Sequence, residues 1–231
     1  NSPNLWPNIS GIISTGTKTV PAETPGLQDK LWRKSIFDFY TIEGALALQQ
    51  FFKSWKGGHL VMAISEIPFK CPVAPLEFVF LADAYFTKMN IRDKVKISLV
   101  TPMSGAFTKP VATKMLSELL EDKNIEVIPD FYIERIDNEN KKLISYDEEE
   151  VPFDVLTIVP VNMGDEMIER SGMGDDMNFV PTNKETLQSK DHDNIFVIGD
   201  ASDIPTSKAG SVAHFSGEIL FENILCAIEN R

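Results

Sequence analysis

Two short stretches carry residue types able to do chemistry. The first is Pro68-Phe69-Lys70-Cys71-Pro72-Val73-Ala74-Pro75-Leu76-Glu77, where a thiol stands beside a lysine and just ahead of a predicted helix. A neighbouring cation and a helix N-terminus both favour the thiolate, which is the nucleophilic form. The same pattern also suits a buried structural cysteine. The second stretch is Asn194-Ile195-Phe196-Val197-Ile198-Gly199-Asp200, followed by Ala201-Ser202-Asp203-Ile204-Pro205-Thr206-Ser207-Lys208-Ala209-Gly210. An apolar, mostly β-branched run ending in Gly-Asp predicts a buried parallel strand whose C-terminal edge meets a ligand. Gly199 lets backbone approach that ligand closely, and Asp200 can accept hydrogen bonds from its hydroxyls. A helix predicted from Gly210 to Ala227 aims its positive end at the same place.

These stretches need elements to hold them. Ile9 to Ile13 predicts a short strand leading into Ser14-Thr15-Gly16-Thr17, a turn small enough for backbone to pass a cofactor. Pro21 to Pro25 reads as loop. Thr41 to Trp55 predicts an amphipathic helix with Thr41 as N-cap and Ile42, Ala45, Leu46, Leu48, Phe51 and Phe52 as its apolar face. After Gly57-Gly58 the pattern is βαβ: strand His59–Ile64, helix Ala74–Lys88, strand Val95–Val100, then a helix from Val111 to Glu121. Strands follow at Glu126–Ile128, Tyr132–Ile136, Lys142–Tyr146 and Val155–Val159, with Asp147-Glu148-Glu149-Glu150 as a solvated turn. The fold class is therefore α/β, with Rossmann-like dinucleotide-binding domains built on parallel sheets flanked by helices.

A working NAD site would place G-x-G-x-x-G after the strand His59–Ile64 and an acidic residue at the end of the next strand. The turn here has no glycine, and Pro68, Pro72 and Pro75 remove backbone donors. The second strand ends Leu99-Val100-Thr101-Pro102, without a carboxylate. No NAD is expected.

The chain has 231 residues, 43% hydrophobic and 24% charged, within the range of a soluble globular protein. Its net charge of −12 argues against a nucleic-acid partner. The two cysteines, Cys71 and Cys226, are too far apart for a disulfide framework or metal-ligand spacing, so no metal is expected. No apolar stretch approaches the length of a membrane span and no signal peptide is visible. The triplet Asn8-Ile9-Ser10 matches a glycosylation acceptor, which matters only in a secreted protein.

The cysteine segment Pro68–Glu77 resembles the segment with the redox-active cysteine of sulfide:quinone oxidoreductases and flavocytochrome c sulfide dehydrogenases. Thr186-Leu187-Gln188, Val159-Pro160 and Ile204–Gly210 are similar to the same family, as is the order of the Thr15-Gly16 turn and the Gly199-Asp200 motif. The resemblance runs from about Ile9 to the C-terminus. It implies FAD held by Thr15, Gly16, Gly199, Asp200, Lys208 and Ala209. It implies Cys71 and Lys208 as catalytic residues, Lys208 stabilising the reduced flavin. Sulfide and quinone would be substrates, in a peripheral membrane or cytoplasmic protein able to form homo-oligomers. The implied domains are 1–55 (part of the FAD domain and a connecting helix), 56–160 (an inserted dinucleotide-type domain without a glycine motif) and 161–231 (the return to the FAD domain).

The chain also departs from the family. The N-terminus, Asn1-Ser2-Pro3-Asn4-Leu5-Trp6-Pro7-Asn8, lacks the strand and glycine turn for the FAD pyrophosphate, so the expectation is a fragment of a larger protein, inactive alone. Ala201 stands where several relatives carry a second cysteine, and Cys226 reads as a core thiol among Ile219, Leu220, Ile224, Leu225 and Ile228. Two alternatives stay open: a type II NADH:quinone oxidoreductase-like enzyme, and a non-catalytic sulfur-carrier or interaction module.

Overall fold

The computed structural model describes residues 11–229. The triplet Asn8-Ile9-Ser10 and the start of the strand expected from Ile9 lie outside the described residues. The chain divides into two compact units, Thr19–Val161 and the residues flanking it on both sides. Before the central unit come β1 (Gly11–Ile13) and β2 (Thr17–Thr19). The central unit contains β3 (Ile36–Phe37), α1 (Ile42–Ser54), β4 (Gly58–Ile64), α2 (Ala74–Lys88), β5 (Val95–Val100), α3 (Pro110–Asp122), β6 (Ile125–Ile128), β7 (Ile133–Asp137), β8 (Lys142–Ser145), β9 (Glu150–Pro152) and β10 (Val155–Val159). After it come β11 (Asn162–Gly164), α4 (Glu166–Ser171), β12 (Ile195–Val197) and α5 (Gly210–Glu229).

In the central unit a parallel sheet of order β3-β10-β4-β5-β6 is buried on both faces. Strand alternation divides its core. Leu60, Met62, Ile64, Ile97 and Leu99 pack with Leu48 of α1, Leu76, Val79 and Phe86 of α2 and Leu120 of α3. Val61, Ala63, Val100, Leu156 and Ile158 pack instead with Ile133, Ile136, Leu143 and Val151 of the antiparallel sheet β7-β8-β9. Burial on both faces is why Leu60–Ile64 of β4 and most of β10 read as apolar runs rather than alternating ones.

Thr41 caps α1 as expected, its hydroxyl accepting from the Gly44 amide at 3.0 Å. Of the expected α1 face, Leu48 is buried and Phe51 and Phe52 pack half-buried on the core, while Ile42, Ala45 and Leu46 are exposed; Gly44 is buried in their place and Trp55 packs half-buried beside them. Gly44 allows this close packing, because a Cβ there would lie 2.4 Å from the Asp38 carbonyl oxygen. Pro21–Glu23 forms a single 3-10 turn within the expected loop, and Glu150 belongs to β9 rather than to the acidic turn. The central unit, Thr19–Val161, takes in β3 and α1 because β3 pairs with β10 and α1 packs on the same core.

In the other unit β1 runs parallel to β12, with Ile13 opposite Val197. β2 pairs with β11. Ile13, Ile168, Val180, Val197 and Ala201 make one small core, and Leu187, Phe196 and Leu220 another.

Candidate functional site

Because β1 and β12 are in register and parallel, their C-terminal ends stop side by side. The Ile198 amide donates to the Ile13 carbonyl at 2.9 Å, which carries the pairing one residue further. The turn Ser14-Thr15-Gly16 leaves one strand, and Gly199-Asp200 leaves the other. A crevice at the C-terminal edge of parallel strands is where open α/β sheets bind ligands. Gly16 has φ 69° and a Cβ added there would meet nothing within 4 Å, so the turn faces open space. Gly199 has φ 72°, and a Cβ there would come within 3.2 Å of the Ala213 Cβ in α5. The two strand ends thus carry left-handed glycines, one facing space and one pressed against a helix, a backbone that lets a ligand approach closely.

Asp200 and Ala201 form a 3-10 turn after β12. The Ala201 carbonyl accepts from Val180 at 2.8 Å and its side chain is fully buried. The Leu187 carbonyl, in Thr186-Leu187-Gln188, accepts from Val197 at 2.8 Å, so that segment steadies β12 from its other side. The Ala209 carbonyl accepts from Ala213 at 3.2 Å in the first turn of α5.

Lys208 is 4% exposed, unlike an ordinary surface lysine. Its ammonium donates to the Ser202 carbonyl and sits 4.4 Å above the Phe179 ring. Burial lowers its pKa, and the Asp200, Asp203 and Asp175 carboxylates offset part of that effect. Thr15, Gly16, Gly199, Asp200, Lys208 and Ala209 therefore all belong to one unit, with Lys208 tied to the turn that follows Asp200.

Cys71 lies in the central unit, in the loop from β4 to α2, three residues before α2 starts. Its φ is 55°, a left-handed conformation that costs a residue with a Cβ. Its side chain is half-buried. The peptides on both sides of it are held: the Lys70 carbonyl accepts from the Tyr40 hydroxyl at 2.6 Å, and the Cys71 carbonyl from the Ala74 amide at 3.0 Å. Burial, with the Cys71 and Glu77 charges nearby, pushes the Tyr40 hydroxyl above its ordinary pKa. Sequence reasoning passed over Tyr40, since 30 residues separate it from Lys70 and no spacing rule joins them.

The loops at the C-terminal end of the central sheet contribute side chains to its core. Phe69 from the β4–α2 loop and Met103 and Ala106 from the loop after β5 are buried in the same cluster as Ile64 and Leu99. Near the start of β4 and β5 is an open concavity of about 980 Å³, lined by Gly58, Asp83, Arg92, Lys94 and Lys123. Its central charges are paired with one another, Asp83 with Arg92 at 2.7 Å and with Lys123 at 2.6 Å. Cys226 is half-buried on α5 rather than a core thiol, because only Leu220 of that helix is buried. Among the described residues no cluster of potential ligands could hold a metal, and no helix is long and apolar enough to cross a membrane.

Residues 45–160 match the family model of the sulfide dehydrogenase [flavocytochrome c] flavoprotein chain, central region. Mitochondrial sulfide:quinone oxidoreductase of Mus musculus is 27% identical over 230 residues, covering 94% of this chain and 49% of the mouse protein. The Dictyostelium discoideum counterpart is 25% identical over 219 residues, covering 93% and 48%. This chain thus spans about half the length of these curated relatives. The X-ray structure of sulfide:quinone oxidoreductase from the hyperthermophilic bacterium Aquifex aeolicus superposes with a TM-score of 0.74 at 21% identity, covering 95% of this chain and 54% of that one. That likeness shows the fold.

Proposed function

This chain belongs to the family of sulfide:quinone oxidoreductases and flavocytochrome c sulfide dehydrogenase flavoprotein chains, and on that premise we propose that the whole protein oxidises sulfide and passes two electrons to a quinone. The observation that carries the reading is Cys71, a thiol held at φ 55° in the loop where a nicotinamide enzyme would place glycines. Thr15, Gly16, Gly199, Asp200 and Ala209 would hold FAD, and Lys208, buried and within electrostatic reach of Asp200, would tune it. FAD supplies the acceptor for an electron pair when bound. Joining hydrosulfide sulfur to the Cys71 thiol forms one S–S bond and releases one proton and two electrons, which leave for that acceptor. Cys71 keeps the sulfur until a further nucleophile removes it. The β4–α2 loop has no glycine and carries Pro68 and Pro72, with Pro75 in the first turn of α2, which disfavours an NADH:quinone oxidoreductase. Association with a membrane surface, where a quinone is met, belongs to the same reading.

The test is a visible spectrum of the whole protein before and after anaerobic sulfide. Bleaching by sulfide but not by NADH, lost in Cys71→Ala, is the expected result. A flavin that ignores sulfide and bleaches with NADH overturns the reading. Protein that never takes up flavin leaves the carrier or interaction module in its place.

A further inference from the structure

The segment carrying Tyr40 is anchored on both sides. Asp38 is buried, pairs with Arg33 at 2.7 Å and accepts from the Thr41 amide at 2.8 Å and the Thr41 hydroxyl at 2.9 Å. Thr41 in turn caps α1. On the other side of Tyr40, the Phe39 ring stacks on Phe78 of α2 at 4.9 Å and 8°. From this frame the Tyr40 hydroxyl reaches the Lys70 carbonyl at 2.6 Å. The peptide so gripped is the one joining Lys70 to Cys71, and its plane determines φ at Cys71. The Ala74 amide grips the following peptide at 3.0 Å, through the Cys71 carbonyl. With both flanking peptides held, the direction in which Cβ and Sγ leave the chain is held too, in a conformation a cysteine would otherwise abandon.

We propose that Tyr40 is a positioning residue for the sulfur chemistry of Cys71, its hydroxyl pinning the Lys70–Cys71 peptide so that the thiol is presented in one orientation. The inference rests on the reading of Cys71 given above. It assigns Tyr40 no contact with substrate. Misplacing a reacting atom by a fraction of its reach is costly to a rate while barely altering stability, which separates this role from simple packing.

The test uses the whole protein. Tyr40→Phe removes the hydroxyl and keeps the ring; Phe39→Leu removes the stacking on Phe78 and keeps the hydroxyl. Two readouts are taken: alkylation of Cys71 by iodoacetamide, followed by mass spectrometry of its peptide, and the rate of flavin bleaching by sulfide. In Tyr40→Phe the alkylation rate shifts by roughly threefold or more and bleaching slows about tenfold, while the melting temperature falls by only a few degrees. In Phe39→Leu, which loosens the frame but keeps the hydroxyl, the melting temperature falls further than in Tyr40→Phe while both rates change less than in that variant. Unchanged Cys71 alkylation in Tyr40→Phe overturns the proposal, as do rate losses in both variants that track their losses of melting temperature. A wild-type flavin that ignores sulfide would sink the sulfide reading instead, and alkylation would still decide the role of Tyr40.

Discussion

The two strand-end glycines allow a matched experiment. Gly16 and Gly199 have nearly the same φ, 69° and 72°. Alanine in a left-handed conformation costs about 1–2 kcal/mol relative to glycine, so the backbone charge is equal at both sites. The surroundings differ. A Cβ on Gly16 projects into open space, whereas one on Gly199 arrives 3.2 Å from the Ala213 Cβ, inside ordinary carbon–carbon contact. Relieving that contact by a few tenths of an ångström adds up to about 1 kcal/mol. Gly16→Ala should therefore destabilise the apoprotein by about 1–2 kcal/mol and Gly199→Ala by up to about 1 kcal/mol more. The difference appears as roughly 2–4 °C in melting temperature for a domain of this size. Ala213→Gly loosens the helix by about 1 kcal/mol on its own, yet combined with Gly199→Ala it should return about 1 kcal/mol as a coupling. Titration with FAD then inverts the order: Gly16→Ala, harmless to its neighbours, fills the space the cofactor would approach and weakens binding about tenfold or more. The reasoning is refuted if Gly16→Ala harms the apoprotein as much as Gly199→Ala, or if the Gly199–Ala213 cycle shows no coupling.

Two further predictions concern the central unit, each read from melting temperature against pH. At Asp83 burial alone would raise the pKa, but hydrogen bonds from Lys123 and Arg92 outweigh it and hold the carboxyl below 3.8. A depressed carboxyl stabilises fully above 3.8 and loses that contribution as pH falls through its folded value, so Asp83→Asn should cost about 1.5–3 kcal/mol at neutral pH and flatten the acid limb. An acid limb as steep as wild type would show that the clasp with Arg92 and Lys123 does not carry it. His59 hydrogen-bonds Ser98 at 2.8 Å, and burial and then Lys96 lower its pKa against the opposing Glu126 and Asp154. The unfolded chain then takes up a proton near 6.5 that the folded chain refuses, so stability falls as pH drops below 6.5. His59→Gln should remove that part of the decline, and a curve parallel to wild type between pH 6.5 and the onset of carboxylate titration would refute it.

Much of the fold is legible because its strands and helices are locally consistent. β4, β5 and β10 are mostly apolar and largely buried, and α2 opens on Ala74-Pro75 where proline suits a helix start. The face of α1 was legible only in its second half, where Leu48, Phe51 and Phe52 pack on the core as their spacing predicts. Ile42 and Leu46 look like core residues by spacing, but Gly44 against Asp38 is buried in their place. Short strands such as β3 and β11 were missed for a related reason: two or three residues carry no period, and only their partners make them strands.

The amino-acid sequence by itself determined the α/β class, the missing glycine turn, the thiol ahead of α2 and the Gly-Asp strand end, since each is a property of neighbouring residues. Tertiary structure alone decided three things. It buried Lys208 against Phe179 and Ser202, packed Phe69, Met103 and Ala106 into the core beside Ile64 and Leu99, and brought the Tyr40 hydroxyl to the peptide before Cys71. Each of these joins residues through space, and the energy of such a contact is set by packing and exclusion of water that no local spacing records.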